Sequence, residues 1–326
     1  MPAFDLPAEL KAALAAKSEG LSRVDAAKRA SAISENYRAG GTSAPIRTER
    51  DALAYALARM PATYAVISAS LHALSEQHPD FTPATLLDVG AGPATASWAA
   101  AQTFDSLTGF AAIDANAALR ALACDTVENS RLASIHYVQS DVLAGLAAMD
   151  AADLVISSYV INELGDTDRD TLADLMWQKT RNTLLVVEPG TPAGYERILA
   201  LRTRLIAQGA HVIAPCPHDR ACPLTAPDWC HFSQRLSRSR AHRQLKGAEV
   251  PFEDERFIYV ALSRSPHMVN TARVLAQPTL SKVAVNAKLC TKTGLSFISV
   301  PRRDKPAYAA ARRWDWGDAV PDETTE

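Results

Sequence analysis

The chain of 326 residues lacks several features that define whole classes of protein. No run approaches the roughly 18 consecutive apolar residues of a membrane-spanning helix, so we expect no membrane partner. With 14 glycines, 19 prolines and 48% apolar residues, the composition excludes collagen-like repeats and disorder. Five cysteines, an odd number, argue against a framework of structural disulfides. A globular protein remains, long enough for two domains or for one large domain with additions.

The N-terminal segment also lacks the features of a targeting signal. Asp5 and Glu9 precede the first lysine, whereas a secretory signal begins with basic residues and transit peptides are poor in acids. We therefore expect a cytoplasmic protein, and we expect it to be a monomer.

The near-neutral net charge of −2 conceals a strong asymmetry. Between His231 and Arg313 there are 16 Lys and Arg residues against five acids, a balance of +11, so the rest of the chain carries −13. Because Lys and Arg neutralise phosphates and release counterions, this asymmetry points the C-terminal part toward a polyanion. A solvated basic surface without any ligand would have the same composition.

Hydrophobic spacing divides the chain into four parts. Residues 1–78 have apolar residues at three- and four-residue spacing and predict helices, with Pro61 either kinking the last one or starting a new helix. Residues 79–206 alternate short apolar runs with amphipathic stretches, which predicts a doubly wound Rossmann-like α/β sheet. Residues 207–235 combine four prolines with three cysteines, which excludes a helix or a central strand. Residues 236–326 predict a returning strand, RFIYVALS, and a small, basic, β-rich C-terminal unit.

A glycine-containing turn follows the first predicted strand, in the segment LLDVGAGPAT. Gly90 and Gly92 permit a tight turn and the close approach of a ligand, and the following helix offers free N–H groups. Asp88 precedes the turn, and Asp114 ends the next predicted strand. These acids could also simply cap helices or accept hydrogen bonds from loop N–H groups.

This spacing resembles the D-x-G-x-G motif of class I S-adenosylmethionine-dependent methyltransferases. The resemblance implies a cofactor site in which Asp88, Gly90 and Gly92 hold the methionine part and Asp114 binds the ribose. It also places Asp141 beside the adenine and Ser157 at the end of the fourth strand. A nicotinamide-binding Rossmann domain is the alternative, but it prefers G-x-G-x-x-G, and Thr95 occupies the sixth position.

The loop after the fourth strand, residues 157–164, would face the methyl group in this fold. It lacks the Asp/Asn-Pro-Pro-aromatic run of amino-group methyltransferases. It also lacks a cysteine nucleophile of the kind that cytosine C5 methylation requires. The sequence therefore does not identify a catalytic residue.

Three of the five cysteines lie in one proline-rich loop: Cys216, Cys222 and Cys230. The loop buries too little apolar surface to offset the entropy lost on ordering it, so it needs a cross-link such as a bound metal. With Cys290 the three cysteines would form a four-thiolate site, which suits zinc or a [4Fe-4S] cluster. The absence of C-x2-4-C knuckles favours the cluster, and zinc and unliganded thiols remain as alternatives. His218 or His231 could replace a thiolate, and Cys124 is predicted to be a core residue.

Four stretches together resemble one family: DALAYALARMPATYAV, LLDVGAGPATASWAA, APCPHDRACPLTAPDWCHFSQRL and AKLC. From about Tyr37 to Trp316, the chain resembles the methyltransferase-like, Rsm-type assembly factors of the mitochondrial and bacterial small ribosomal subunit. The resemblance implies a methyltransferase fold, a [4Fe-4S] cluster on the four cysteines and binding to small-subunit ribosomal RNA. A departure is Ala94, where the motif often has glycine, and its methyl group would crowd the cofactor loop.

Two hypotheses for the function follow. The first is an S-adenosylmethionine-dependent methyltransferase that acts on ribosomal RNA, and the second is a non-catalytic assembly factor with a vestigial cofactor site. In both, the basic C-terminal half docks on RNA, and the arginines directly after the cysteine-rich loop are the predicted contacts: Arg235, Arg238, Arg240 and Arg243.

Overall fold

A computed structural model of the chain describes residues 4–267 and 270–322. It begins with three helices, α1 (Ala8–Ser18), α2 (Arg23–Arg38) and α3 (Glu49–Gln77). Thr48 and Asp51 form a capping box at the start of α3, which satisfies N–H groups of its first turn. Pro61 lies inside α3 and does not start a new helix, since α3 packs against α2, α4, α5, β7 and β8 (bounds below) and is held on both sides of the proline.

The α/β part is built on one mixed sheet of eight strands. Its strands are β1 (Thr85–Val89), β2 (Gly109–Asp114), β3 (His136–Gln139), β4 (Ala152–Ser158), β5 (Thr180–Pro189), β6 (His211–Ala214), β7 (Phe232–Ser237) and β8 (Phe252–Ser263). The connecting helices are α4 (Thr95–Thr103), α5 (Ala117–Val127), α6 (Val142–Gly145), α7 (Asp166–Lys179), α8 (Pro192–Ile206) and α9 (Arg240–Lys246). Short 3-10 turns occupy Leu146–Ala148 and Ile161–Glu163.

The strand order explains where a ligand would bind. The order is β3-β2-β1-β4-β5-β8-β6, with β1 to β5 parallel and β8 antiparallel to β5, β6 and β7. The chain reverses direction across the sheet between β1 and β4, and doubly wound sheets bind ligands outside the carboxyl ends of the strands at such a point. Asp88, Gly90, Asp114 and Ser157 all lie at this edge, at or just beyond the ends of β1, β2 and β4.

The cysteine-rich segment connects two strands that pair with different parts of β8. The β6 strand pairs with residues 261–263 of β8, and β7 pairs with residues 252–257. The predicted segment 207–235 therefore contains one short strand and the start of another, because the proline-rich part is confined to the connection after Ala214. Cys216 follows β6 and Cys230 precedes β7, so both ends of the connection are fixed by the sheet.

A second, antiparallel sheet of five strands forms the C-terminal unit. Its elements are β9 (Thr271–Val274), β10 (Thr279–Leu280), β11 (Ala284–Thr291), β12 (Gly294–Pro301), α10 (Lys305–Ala311) and β13 (Ala319–Pro321). A small core separate from that of the large sheet lies on one of its faces, around Ala287, Leu289 and Val320. In the part of the chain that the structure describes, we find no helix with both the length and the apolar character required to span a membrane.

Candidate functional site

The turn after β1 is held in place by side chains of β2 and β3. Gly90 and Gly92 have φ of +71° and +53°, the left-handed region that glycine adopts without strain. The Gly92 N–H donates to Asp114 Oδ2 at 2.9 Å, and the Tyr137 hydroxyl donates to the Gly92 carbonyl at 2.6 Å. Ala94 also has a positive φ, +60°. The alanine that stands where the motif often has glycine is therefore in a strained backbone conformation. The loop is thus preorganised around a fixed conformation.

Asp88 lies fully buried beneath this turn. Its Oδ2 accepts hydrogen bonds from Ser97 N at 3.0 Å and from Ser97 Oγ at 2.8 Å. Its Oδ1 is buried and has no hydrogen-bond partner among the described residues. Burial raises the pKa of Asp88 to about 7, since the hydrogen bonds from Ser97 do not offset the loss of solvent. An orphaned carboxylate oxygen at this place fits a cationic or donor group of a bound cofactor.

Asp114 connects the turn to the N-terminal part of the chain. Its Oδ1 accepts from Asn116 N at 2.7 Å, and the Asn116 side chain donates to the carbonyls of Ser43 and Ile46. Burial raises the pKa of Asp114. On the β4 side, the Ser43 N–H donates to Glu163 Oε2 at 3.3 Å. The segment between α2 and α3 therefore reaches across the strand ends, from the loop after β2 to the loop after β4.

The two glycines differ in what a side chain would meet. A β-carbon on Gly90 would lie 2.2 Å from Val160 Cγ2, so the loop after β4 fills the space above this residue. A β-carbon on Gly92 would meet only Leu119 Cδ1, at 3.8 Å. Gly92 therefore has room for a β-carbon, and Gly90 is required for packing within the protein.

We expect Gly90→Ala to lower the free energy of unfolding by about 3 kcal/mol or more, since it combines left-handed strain with overpacking against Val160. Gly92→Ala, with strain alone, should cost about 1 kcal/mol. Denaturant unfolding of both variants, and of Gly90→Ala combined with Val160→Ala, measures the difference. Equal costs at both glycines, or no compensation by Val160→Ala, would contradict the assigned contact.

Two further predicted cofactor residues lie in different surroundings. Asp141 caps α6, because its Oδ1 accepts from Leu143 N and Ala144 N at 2.9 and 3.2 Å. Ser157 is buried at the end of β4, and its hydroxyl has no partner within the described residues. Adenine and cofactor binding by these two residues stay predictions.

The loop after β4 contains a tyrosine that lies close to residues of α3 and β8. Tyr159, with φ of +60°, has a buried hydroxyl that lies near Arg59 and Glu255. Arg59 donates from Nη2 to Glu255 Oε1 at 3.1 Å, which joins α3 to β8. Burial raises the pKa of Tyr159 well above its usual range and that of Glu163 to about 7. The sequence pattern did not identify Arg59 or Glu255, since nothing local indicates that two residues 196 positions apart are paired.

The four predicted ligand cysteines line one cavity between the two sheets: Cys216, Cys222, Cys230 and Cys290. The Tyr195 hydroxyl donates to Cys222 Sγ at 3.3 Å, and His218 Nε2 lies 3.8 Å from Cys290 Sγ. Cys124, the fifth cysteine, lies on α5 and packs against the main core. Across residues 4–267 and 270–322, no three or more His, Cys, Asp or Glu residues form a group that could hold one metal ion.

Two buried arginines border the same cavity. Arg202 donates from Nη2 to the carbonyls of His218 and Arg220, and Arg273 donates from Nε to the carbonyl of Pro215. Neither forms an ion pair with a carboxylate of the described residues. Burial raises the pKa of the Cys290 thiol to about 12 and that of Cys230 well above its usual range. Positive charge without a counter-charge therefore lies beside the thiols, which fits an anionic group in the cavity.

The four arginines predicted to contact RNA are not equivalent. Arg235 forms two hydrogen bonds of 2.7 Å with Asp254, and Arg238 Nε donates to Glu253 Oε2 at 3.2 Å. Arg240, at the start of α9, is exposed, and Arg243 on the same helix is half-buried. The charges of the first two are thus offset by acids of β8. Their contact with RNA stays a prediction.

The strand order with one antiparallel strand beside β5, the glycine turn after β1 and the acids at the ends of β1 and β2 define a class I methyltransferase fold. The chain belongs to the Rsm22 family, described as mitochondrial small ribosomal subunit Rsm22, which matches residues 49–321. It is 28% identical over 300 residues to the human ribosome assembly protein METTL17, mitochondrial, covering 84% of this chain and 63% of that protein. It is 27% identical over 328 residues to the Rsm22-cox11 tandem protein 2, mitochondrial, of Schizosaccharomyces pombe, covering 84% and 43%.

The chain thus spans less than two thirds of the length of these relatives. Similar solved structures include the magnesium protoporphyrin IX methyltransferase of Synechocystis with bound SAM, at 13% identity and a TM-score of 0.39, covering 62% of this chain and 80% of that one. The N-methyltransferase NodS of Bradyrhizobium japonicum has 14% identity and a TM-score of 0.39, covering 60% and 84%.

The prediction of a cytoplasmic location is wrong on these comparisons. The family description and the named relatives are mitochondrial. The prediction depended on acids near the N-terminus, and the family match, which starts at residue 49, does not include that segment.

Proposed function

We propose that this protein is an assembly factor of the small ribosomal subunit that binds ribosomal RNA, carries a [4Fe-4S] cluster and binds S-adenosylmethionine. Membership of the Rsm22 family supports the ribosomal role. The mitochondrial relative METTL17 is named as a ribosome assembly protein, which favours assembly over a permanent place in the ribosome.

The observation that carries the proposal is the cavity with four cysteines. The cavity lies where the large sheet meets the C-terminal unit, because Cys216 and Cys230 flank strands of the first and Cys290 belongs to β11. Four thiolates around a cubane stand farther apart than four around one zinc ion. The preference for the cluster over zinc comes from the sequence, in which the cysteines of the connection are spaced more widely than in the C-x2-4-C knuckles of zinc sites.

The positive charge beside the cysteine cavity also supports a [4Fe-4S] cluster. A [4Fe-4S] cluster with four thiolate ligands is anionic, so it would offset the guanidinium groups of Arg202 and Arg273. Cluster binding would stabilise the proline-rich connection, since metal-binding free energy is then part of the folding free energy. The cluster would also fix the C-terminal unit against the α/β part.

The cofactor site supports binding of S-adenosylmethionine more directly than methyl transfer. The glycine turn after β1, the buried carboxylate of Asp88 beneath it and the position of Asp114 at the end of β2 suit the ligand. The loop that would face the methyl group lacks both the Asp/Asn-Pro-Pro-aromatic run and a cysteine nucleophile, and the Tyr159 hydroxyl within it is buried near Arg59. We therefore favour the non-catalytic hypothesis, and methyl transfer to RNA is the second candidate.

In the experiment, the gene is deleted and then replaced by either the wild type or Asp114→Ala. This variant lacks the carboxylate that is predicted to bind the ribose of the cofactor. We expect gene loss to reduce mature small subunits severalfold while leaving every methylated nucleotide of the small-subunit RNA in place, as measured by mass spectrometry. A nucleotide whose methylation disappears on gene loss and returns with the wild type would establish methyl transfer instead. Unchanged small-subunit levels would contradict the assembly role.

A further inference from the structure

Part of one face of the C-terminal sheet is open to solvent. In the register of β11 with β12, Lys288 lies opposite Phe297 and Asn286 lies opposite Ser299. Thr279 of β10 pairs with Asn286 from the other side. Because side chains alternate along a strand, these five residues share one face, which we call the C-terminal sheet face. The alternate residues, such as Ala287 and Ile298, belong to the small core.

Phe297 is the prominent feature of this face. Its side chain is 76% exposed, although an aromatic ring in an antiparallel sheet normally packs against a neighbour. The nearest charge is the ammonium group of Lys288, 5.9 Å from the ring centroid. The remaining side chains are a hydroxyl, an amide and another hydroxyl. A single exposed ring among hydrogen-bonding groups is unlike the broad apolar patches with which proteins bind one another.

The stretch of sequence that contains this face is rich in basic residues. Between Arg256 and Arg303, 48 residues contain eight Lys and Arg and no Asp or Glu. The Arg302 N–H donates to the carbonyl of Val283, so the turn before β11 and the end of β12 lie together. This contact groups three exposed cations at one end of the sheet that form no ion pair within the described ranges: Lys282, Arg302 and Arg303. From Phe297 to Arg302 the strand extends by about 16 Å.

We infer that the C-terminal sheet face binds unpaired RNA, with Phe297 stacking on a base and the three cations at its end contacting phosphates. Aromatic rings on open sheets stack on single-stranded bases, hydroxyl and amide groups pair with base edges, and cations bind the backbone. A folded duplex would not expose a base to the ring. The inference rests on the proposed function, since it specifies the RNA-binding surface.

The face is continuous with the cysteine cavity. Cys290 points to the same side of β11 as Lys288, two residues away, and Lys288 forms an ion pair with Asp228 of the cysteine-rich connection. Ordering of that connection therefore positions the face. The inferred surface differs from the four arginines after the connection, two of which are already paired with acids.

The test uses the iron-loaded full chain and a fluorescent, unstructured 12-nucleotide RNA of mixed sequence. Phe297→Ala should weaken binding by about 5- to 100-fold, as expected for the loss of one stacked base. Phe297→Tyr should retain binding. Leu280→Ala is the matched control, because Leu280 is 62% exposed and pairs with Val285 on the opposite face. Unchanged thermal unfolding would show that the exposed substitutions leave the fold intact.

A triple Gln variant of Lys282, Arg302 and Arg303 should lower the slope of log affinity against log salt by about 0.7 for each phosphate contact. The inference fails if the wild type binds RNA and Phe297→Ala binds equally well. It also fails if Phe297→Ala weakens binding to a small-subunit protein and leaves binding to RNA unchanged. If the wild type binds neither the 12-nucleotide RNA nor intact small-subunit RNA, the proposed function fails and the inference falls with it.

Discussion

Replacing Cys230 by serine is expected to remove the iron and to lower the unfolding temperature by on the order of 10 °C or more. Cys230 lines the cavity at the end of the proline-rich connection, directly before β7. Without this thiolate the proposed cluster would lose a ligand, and the connection would lose the binding free energy that orders it. Iron content, the broad brown absorption of anaerobically purified protein and calorimetric unfolding measure the effect.

Cys124→Ser is the matched control for this prediction. Cys124 lies on α5, away from the cavity, so its loss should change neither iron content nor colour and should cost only about 1 kcal/mol of stability. Equal iron loss in both variants would contradict the assignment of the cavity as the cluster site. So would a colourless wild type with one zinc ion per chain.

S-adenosylmethionine is expected to bind more tightly at pH 8 than at pH 6, by up to about tenfold for each pH unit below the pKa of Asp88. That pKa is raised to about 7 in the protein by burial. Without ligand, the folded state therefore keeps a proton that the unfolded state releases above pH 4, and stability falls as pH rises toward 7. A cationic ligand favours the charged carboxylate, so binding should release a proton.

Calorimetric titration at pH 6, 7 and 8, in buffers of different ionisation enthalpy, measures both the affinity and the proton count. Asp88→Asn should weaken binding and remove its share of the pH dependence. We expect any pH dependence that remains in Asp88→Asn to come from Glu163, whose pKa is also raised to about 7. Asp141→Asn, a change at the helix cap of α6, is the control and should keep the wild-type pH profile. Wild-type affinity and pH dependence in Asp88→Asn would refute the role of Asp88.

The sequence predicted the sheet because its signals are local. Apolar runs such as TLLDVG and ADLVISSY became β1 and β4, and the two glycines adopt the left-handed conformations that the turn requires. The sequence also grouped Cys290 with the three cysteines of the connection, and all four line one cavity. That they hold a metal or a cluster stays a prediction.

Contacts set by strand register were not predictable. Arg235 faces Asp254 because β7 pairs with β8 in one particular register, so half of the predicted arginine set is offset by acids. Phe297 gave no signal in the sequence, since alternation along β12 does not reveal which face lacks a cover. The burial of Tyr159 close to α3 likewise depends on how the N-terminal helices pack on the sheet.

The central claim is that a cluster holds an RNA-binding C-terminal unit in place on a methyltransferase-fold domain. The most direct measurement is the affinity of the wild type for small-subunit ribosomal RNA in the iron-loaded form and after anaerobic removal of iron by a chelator. We predict salt-dependent binding by the iron-loaded protein and at least about tenfold weaker binding by the iron-free protein, corresponding to about 1.4 kcal/mol. Equal affinity of the two forms, or no binding by the iron-loaded form, would contradict the account.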